Sequence, residues 1–177
     1  MRKFLLLLVF LCSQWGNTQV QSTFAESTGD ALLYALPIST IATTIFIKDY
    51  KGLKQFSKGF LVNAVTTEAL KLIIKKERPN HANFKSFPSG HTSITFQSAA
   101  FIQKRYGWEY GIPVYALAAF TGYSRIESKN HYFIDVLAGA AIGISSSYLF
   151  TTEYEKNIEV GLVQNNLGTY VSLKYEF

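Results

Sequence analysis

Apolar runs and polar breaks alternate along this chain at a spacing that fits helices. Residues 31–47 carry no charge over 17 positions, which as a helix spans about 25 Å, short for a bilayer but within range. Pro37 could kink this helix, and Ser27, Thr28 or Asp30 in the polar stretch 23–30 could cap it. A second helix is expected over 59–74, with Glu68 and Lys71 three residues apart and able to pair. A third, more polar than the others, covers 91–106, a short fourth 112–123 and a fifth 131–150. The fifth carries small residues at Ala138, Gly139, Ala141 and Gly143, which allow close helix packing. Loops are expected at 48–58, basic with four lysines, at 75–89, at 107–111 and at 124–130.

The two ends read differently. Residues 1–22 open Met-Arg-Lys and are apolar from Phe4 to Cys12, the pattern of a secretory signal peptide, although no A-x-A cleavage site follows. An uncleaved anchor helix is the alternative. Beyond Thr151 the period becomes two: Ile158, Val160 and Leu162, then Asn165-Asn166-Leu167-Gly168, then Val171, Leu173 and Tyr175. That predicts an amphipathic hairpin, which is marginal alone and should pack on the bundle or on a partner. The expected fold is all-α: a membrane helical bundle of five to six helices with the active site at the outer ends, plus a short C-terminal β-hairpin. The parts are 1–22, signal peptide or anchor; 23–150, the bundle; and 151–177, the tail.

Composition narrows the partners. Charged residues make up 16% of the chain, below the roughly 25% of soluble domains. Mean hydropathy is only +0.10, so polar tails offset apolar spans. The net charge of +5 comes without a basic, aromatic-interleaved run, so anionic lipid or a phosphorylated substrate fits better than nucleic acid. The one cysteine and the absence of Cys/His zinc spacing give no metal or disulfide expectation. If the first long helix starts outside, loops 48–58 and 104–110 lie inside with their lysines, as cytoplasmic loops prefer. Loops 75–90 and 124–131 then share the outer face. Lys75, Lys76, Arg78 and Lys85 run against that preference, and part of that excess is attributed to a candidate anion site. Glu68, about nine residues into its helix, would cost roughly 2.5–3.5 kcal/mol unpaired at the bilayer centre; a soluble all-α domain is the alternative.

Three short stretches carry the chemistry. Lys71 precedes Arg78-Pro79 by a fixed spacing; Pro88-Ser89-Gly90-His91 stands at a loop-to-helix junction; Ser124-Arg125 leads to His131 and Asp135. Three cations, two histidines and a carboxylate suit an oxyanion of more than one charge. Lys71 and Arg78 share a helix face if the helix persists that far. Arg78 and Arg125 can each fork two phosphate oxygens, with Lys71 a point charge. Ser89 can cap, Gly90 admits close approach, and His91 falls in the first turn beside free N–H groups. His131 and Asp135, four apart on one helix face, allow the carboxylate to fix the imidazole tautomer and free the other nitrogen. Each alone has a plainer reading: a solvated cation, a capped turn, a structural His/Asp pair. His81 matches none of these positions and reads as a loop residue.

The set resembles the signature of the type 2 phosphatidic acid phosphatase superfamily, which includes bacterial acid phosphatases and vanadium haloperoxidases. K-x6-RP matches Lys71, Arg78 and Pro79; PSGH matches 88–91; SR-x5-H-x3-D matches Ser124, Arg125, His131 and Asp135. The resemblance covers about residues 55–150. It implies metal-independent phosphoester hydrolysis with no cofactor. His131 would form a phosphohistidine, Asp135 would orient it, and His91 would protonate the leaving group and then activate water. Lys71, Arg78, Arg125 and the Ser89 and Gly90 amides would hold the phosphoryl oxygens, and a bell-shaped pH profile would follow. The expectation is a bacterial envelope enzyme of the inner membrane, acting on a lipid phosphate or diphosphate from the periplasmic side. Candidate substrates are phosphatidate, phosphatidylglycerophosphate, undecaprenyl diphosphate and the phosphates of lipid A. The alternatives are a soluble periplasmic acid phosphatase, a vanadate-dependent haloperoxidase, and a non-catalytic membrane scaffold whose tail binds a partner.

Overall fold

The computed structural model describes residues 23–154, and the backbone alone of 158–165 and 168–175. The expected signal or anchor segment, 1–22, lies outside the described residues. Helix α1 (Phe24–Phe46) starts about two turns before residue 31, where the apolar run begins, because Thr23 is its cap and accepts from the Glu26 N–H at 3.2 Å. Ser27, Thr28 and Asp30 therefore lie inside the helix, which continues past Pro37.

Helix α2 (Tyr50–Ile73) absorbs most of the expected basic loop. The cause is Asp49, whose carboxylate accepts from Gly52 N at 2.8 Å and from Arg105 at 2.6 and 2.7 Å. Burial pushes the Asp49 carboxyl up, but the Arg105 guanidinium and the Gly52 N–H hold it below its ordinary value. Lys51, Lys54 and Lys58 thus ride on the first turns of α2. At the far end α2 stops at Ile73, so it does not carry Lys71 and Arg78 on one face. Glu68 is exposed and Lys71 does not pair with it; the lysine bonds the Pro88 carbonyl instead.

Helix α3 (Gly90–Tyr106) is capped by Ser89 as expected and ends at Gly107, whose φ of 101° favours glycine. That one residue joins it to α4 (Trp108–Glu127). Helix α4 is longer than expected at both ends, so Ser124 and Arg125 are helical. Helix α5 (Phe133–Tyr148) starts late: Tyr132 is its N-cap and the Asp135 carboxylate accepts from Tyr132 N at 3.0 Å. His131 consequently sits in the loop before α5, not on a shared face with Asp135.

Helix α3 touches all four other helices, which explains its polarity: it is the enclosed one. Gly139 and Gly143 of α5 press on its backbone; a Cβ there would overlap the Ser89 and Ser93 carbonyl oxygens. Two small apolar clusters, Leu36–Ala99–Ala118 and Phe56–Phe101–Ile102, complete the interior. Otherwise the polarity is inverted. Thr40, Thr44, Asn63, Thr67, Thr95, Gln97, Thr121 and Ser146 are buried, while Ile38, Ile45, Leu61, Val65, Ile112, Ile134 and Leu137 face outward. Among the described residues one helix, α1, is long and apolar enough to cross a bilayer. In the tail, the backbone of β1 (Ile158–Asn165) and β2 (Gly168–Tyr175) pairs antiparallel, Asn165 opposite Gly168.

Candidate active site

The up-and-down order brings five chain ends together: the starts of α1, α3 and α5 and the ends of α2 and α4. All three sequence stretches meet there, and hydrogen bonds between them define the site.

Lys71, in the last turn of α2, donates to the Pro88 carbonyl at 2.7 Å. Arg78 comes from the α2–α3 loop, where Arg78 Nη1 donates to Asn130 Oδ1 at 3.3 Å. Its Nε is buried without a partner, a donor that a bound oxyanion could use. Ser89 is fully committed: its N–H donates to the Asp135 carbonyl at 2.9 Å, and its hydroxyl lies 2.9 Å from that of Thr92. The expected phosphate contact from the Ser89 amide is therefore replaced by a structural one. The Gly90 and His91 N–H groups, next along, have no protein acceptor among the described residues.

Arg125, at the end of α4, is buried and held on three nitrogens. Nε donates to Ser124 Oγ at 3.0 Å, Nη1 to Asp30 Oδ1 at 2.7 Å and Nη2 to the Glu26 carbonyl at 2.8 Å. A guanidinium has five N–H groups, so two remain for an anion. His91 lies in the first turn of α3 with Nε2 3.0 Å from Asp30 Oδ1.

The His131–Asp135 pair differs from expectation. His131 Nδ1 lies 2.6 Å from the Ser86 carbonyl, not on Asp135. Asp135 Oδ2 instead accepts from the Ser86 hydroxyl at 2.6 Å, and Oδ1 from Lys76 Nζ at 2.6 Å. Ser86 thus stands between them, its hydroxyl on the carboxylate and its carbonyl on the imidazole. A carbonyl only accepts, so Nδ1 carries the hydrogen and Nε2 is the free nitrogen. Burial, then the charges of Arg78 and Lys71, push His131 down to about 3, so the ring is neutral at physiological pH. A neutral imidazole with one nitrogen pinned and the other free, among cations, can act as a nucleophile toward a bound oxyanion.

Glu26, Asp30 and Ser86 lie outside the signature stretches, and Lys76 and Asn130 fall at their variable positions. Glu26 and Asp30 sit four apart in the polar stretch before the first apolar run, a signal readable as a charged face on the site side. Lys76 and Ser86 are joined by the Ser86 N–H to Lys76 carbonyl bond at 2.9 Å, which no sequence pattern marks. His81 is exposed, with Nδ1 2.9 Å from Glu77. Among the described residues no group of three or more His, Cys, Asp or Glu side chains converges to hold a metal.

The pattern of the PAP2 superfamily matches residues 31–159. A lipid A 4'-phosphatase of Helicobacter pylori is 33% identical over 141 residues, covering 73% of this chain and 71% of its own. A lipid A 1-phosphatase of Porphyromonas gingivalis is 44% identical over 71 residues, covering 38% of this chain but 16% of its own. The crystal structure of Aquifex aeolicus LpxE superposes with a TM-score of 0.65 at 20% identity, covering 81% of this chain and 92% of that one. At that identity the likeness speaks for the fold.

Proposed function

The chain belongs to the PAP2 superfamily, and from that premise we propose that it hydrolyses a membrane lipid phosphate or diphosphate through a phosphohistidine, without a metal. The observation that carries this reading is His131: buried, neutral, pinned by Nδ1 to Ser86 and beside Lys71 and Arg78. Its Nε2 lone pair attacks phosphorus and the P–O bond to the lipid breaks. Burial, then the charge of Arg125, hold His91 down to about 4; a bound phosphate offsets that charge, so the ring takes up a proton with the substrate and gives it to the departing oxygen. Water then attacks phosphorus, His91 takes a proton from that water, and the P–N bond breaks to restore neutral His131. Lys71, Arg78, Arg125 and the Gly90 amide hold the phosphoryl oxygens as charge builds on them. Asp135 acts through Ser86, and Ser89 shapes the turn.

The inverted polarity supports a bilayer setting. A face lined by Ile38, Ile45, Leu61, Val65, Ile134 and Leu137 around buried Thr, Ser, Asn and Gln suits lipid outside and hydrogen-bonded helices inside. The site then lies at the outer helix ends, on the periplasmic side of a bacterial inner membrane. The names of the relatives put the phosphates of lipid A first among the candidate substrates. Residues 23–150 form the catalytic unit, 1–22 a signal or anchor, and 151–177 a hairpin tail. A soluble periplasmic acid phosphatase is the second reading.

The test is phosphate release by detergent-purified protein in EDTA, from a panel of lipid phosphates and a soluble phosphomonoester. Release survives EDTA, favours a lipid, and drops at least about 10³-fold in His131→Ala. Release retained by that variant, or release that needs added metal, ends the phosphohistidine reading. A preference for the soluble ester and extraction without detergent favours the second reading.

A further inference from the structure

Helix α1 begins outside the three signature stretches, yet its first two turns reach into the site. Asp30 Oδ1 accepts from Arg125 Nη1 at 2.7 Å and lies 3.0 Å from His91 Nε2. Glu26, one turn earlier, spends its carboxylate on Asn130 Nδ2 at 2.7 Å and its carbonyl on Arg125. Packing also fixes the approach: a Cβ on Gly29 would overlap the Ser124 hydroxyl, so α1 runs as close to α4 as a glycine allows. The charged groups that face His91 are Asp30 from α1, Arg125 from α4 and Arg78 from the α2–α3 loop. Two are cations, and Asp30 is the carboxylate. The other ring nitrogen, Nδ1, has no protein partner among the described residues.

We propose that Asp30 is the positioning residue for His91: its carboxylate holds the ring by Nε2 and so assigns proton delivery to Nδ1. This rests on the phosphatase reading above and adds to it a residue that no signature stretch contains. A carboxylate only accepts hydrogen bonds, so Nε2 carries its hydrogen in both ring states. The imidazolium therefore has Nδ1–H to give when the P–O bond breaks. The neutral ring that remains has its lone pair on that same nitrogen, ready for the proton of the water that attacks the phosphohistidine. Without Asp30 the neutral ring can adopt the other tautomer, and two guanidiniums oppose its protonation with no carboxylate to offset them.

The experiment compares wild type, Asp30→Asn, Asp30→Glu and His131→Ala in detergent micelles, with dioleoyl phosphatidate and p-nitrophenyl phosphate as substrates across pH. The nitrophenolate leaves without a proton; the lipid alkoxide needs one. In Asp30→Asn, kcat/KM for phosphatidate falls about 10²-fold or more, the lower range for general acid catalysis, and the aryl ester loses less than about tenfold. The Asp30 side chain is half exposed, so the alkaline limb for phosphatidate moves down by about one pH unit, the low end for a neighbouring opposite charge. Asp30→Glu recovers part of the loss. Placing Asp30→Asn in a His91→Gln background adds little on phosphatidate, because the two residues act as one unit. Equal losses on both esters with an unmoved limb would reduce Asp30 to a support for Arg125. A gain in activity on its removal would make it a blocker of the anion site. Either result overturns the proposal and leaves the phosphatase reading standing, whereas wild-type release that is absent, or that His131→Ala retains, overturns both. If Asp30→Asn does not fold, the limb and the ester ratio of Asp30→Glu decide.

Discussion

Asp135→Asn separates two ways of supporting a nucleophilic histidine. Where a carboxylate bonds the imidazole directly, the change to an amide costs about 10⁴ in turnover, because the wrong tautomer is held. Here the carboxylate reaches His131 through Ser86. An asparagine can keep its oxygen on the Ser86 hydroxyl and on the Tyr132 N–H, and what it loses is the 2.6 Å ion pair with Lys76. The Lys76 side chain is 32% exposed and can turn to solvent. The loss is therefore about one charge-assisted hydrogen bond, roughly 1.5–3 kcal/mol of stability. The Ser86 carbonyl still fixes the His131 tautomer, so kcat should fall by only about 10- to 100-fold, which is about 1.4–2.8 kcal/mol of barrier. Ser86→Ala keeps that carbonyl too and should cost about tenfold or less. The assay is initial-rate phosphate release beside thermal unfolding in the same detergent. A kcat loss near 10⁴ in Asp135→Asn with an unchanged melting temperature would refute the relay and mean that the carboxylate meets the imidazole directly during turnover.

Two further outcomes follow from the same geometry. His131 is pushed down to about 3 from an ordinary value near 6.5, so between those limits the unfolded chain binds the extra proton; stability should fall as pH drops through that window, and His131→Gln should flatten the fall in a pH series of unfolding midpoints. A slope unchanged by the substitution would contradict the burial of a neutral ring. At the opposite end of the bundle, Arg105→Ala strands the buried Asp49 carboxylate, bonded at 2.6 and 2.7 Å. It should lower stability by about 3–5 kcal/mol while KM of the folded fraction stays within about twofold, and a large KM rise would show that the two ends of the bundle are coupled.

Much of the site was readable because its chemistry lies in residue identities at fixed spacings. Ser89 as a cap, His91 in a first turn, and Gly139 and Gly143 as contact points follow from local rules, while the grouping of three cations with two histidines follows from the resemblance of the three motifs to one family's signature. The misses share a cause. The i, i+4 spacing predicts His131 on a helix with Asp135, yet the Asp135 carboxylate accepts from the N–H of the N-cap Tyr132 and the helix starts after the histidine. Helix α2 was expected to begin after a basic loop, yet Asp49, anchored by Arg105 from 56 residues away, starts it before those lysines. Asp30 is only one of three candidate caps in the sequence, with Ser27 and Thr28, yet it lies beside His91 and Arg125.

The sequence by itself determined the helical pattern of the bundle, the membership of one family and the chemical inventory of the site, because these depend on composition, period and short-range spacing. Tertiary structure alone decided the partners: Ser86 between Asp135 and His131, Asp30 on His91, and a polar helix at the centre of an apolar exterior. Hydrogen-bond partners far apart in the chain are chosen by which backbones can approach, and that depends on glycines, caps and packing summed over the whole bundle rather than on any local stretch.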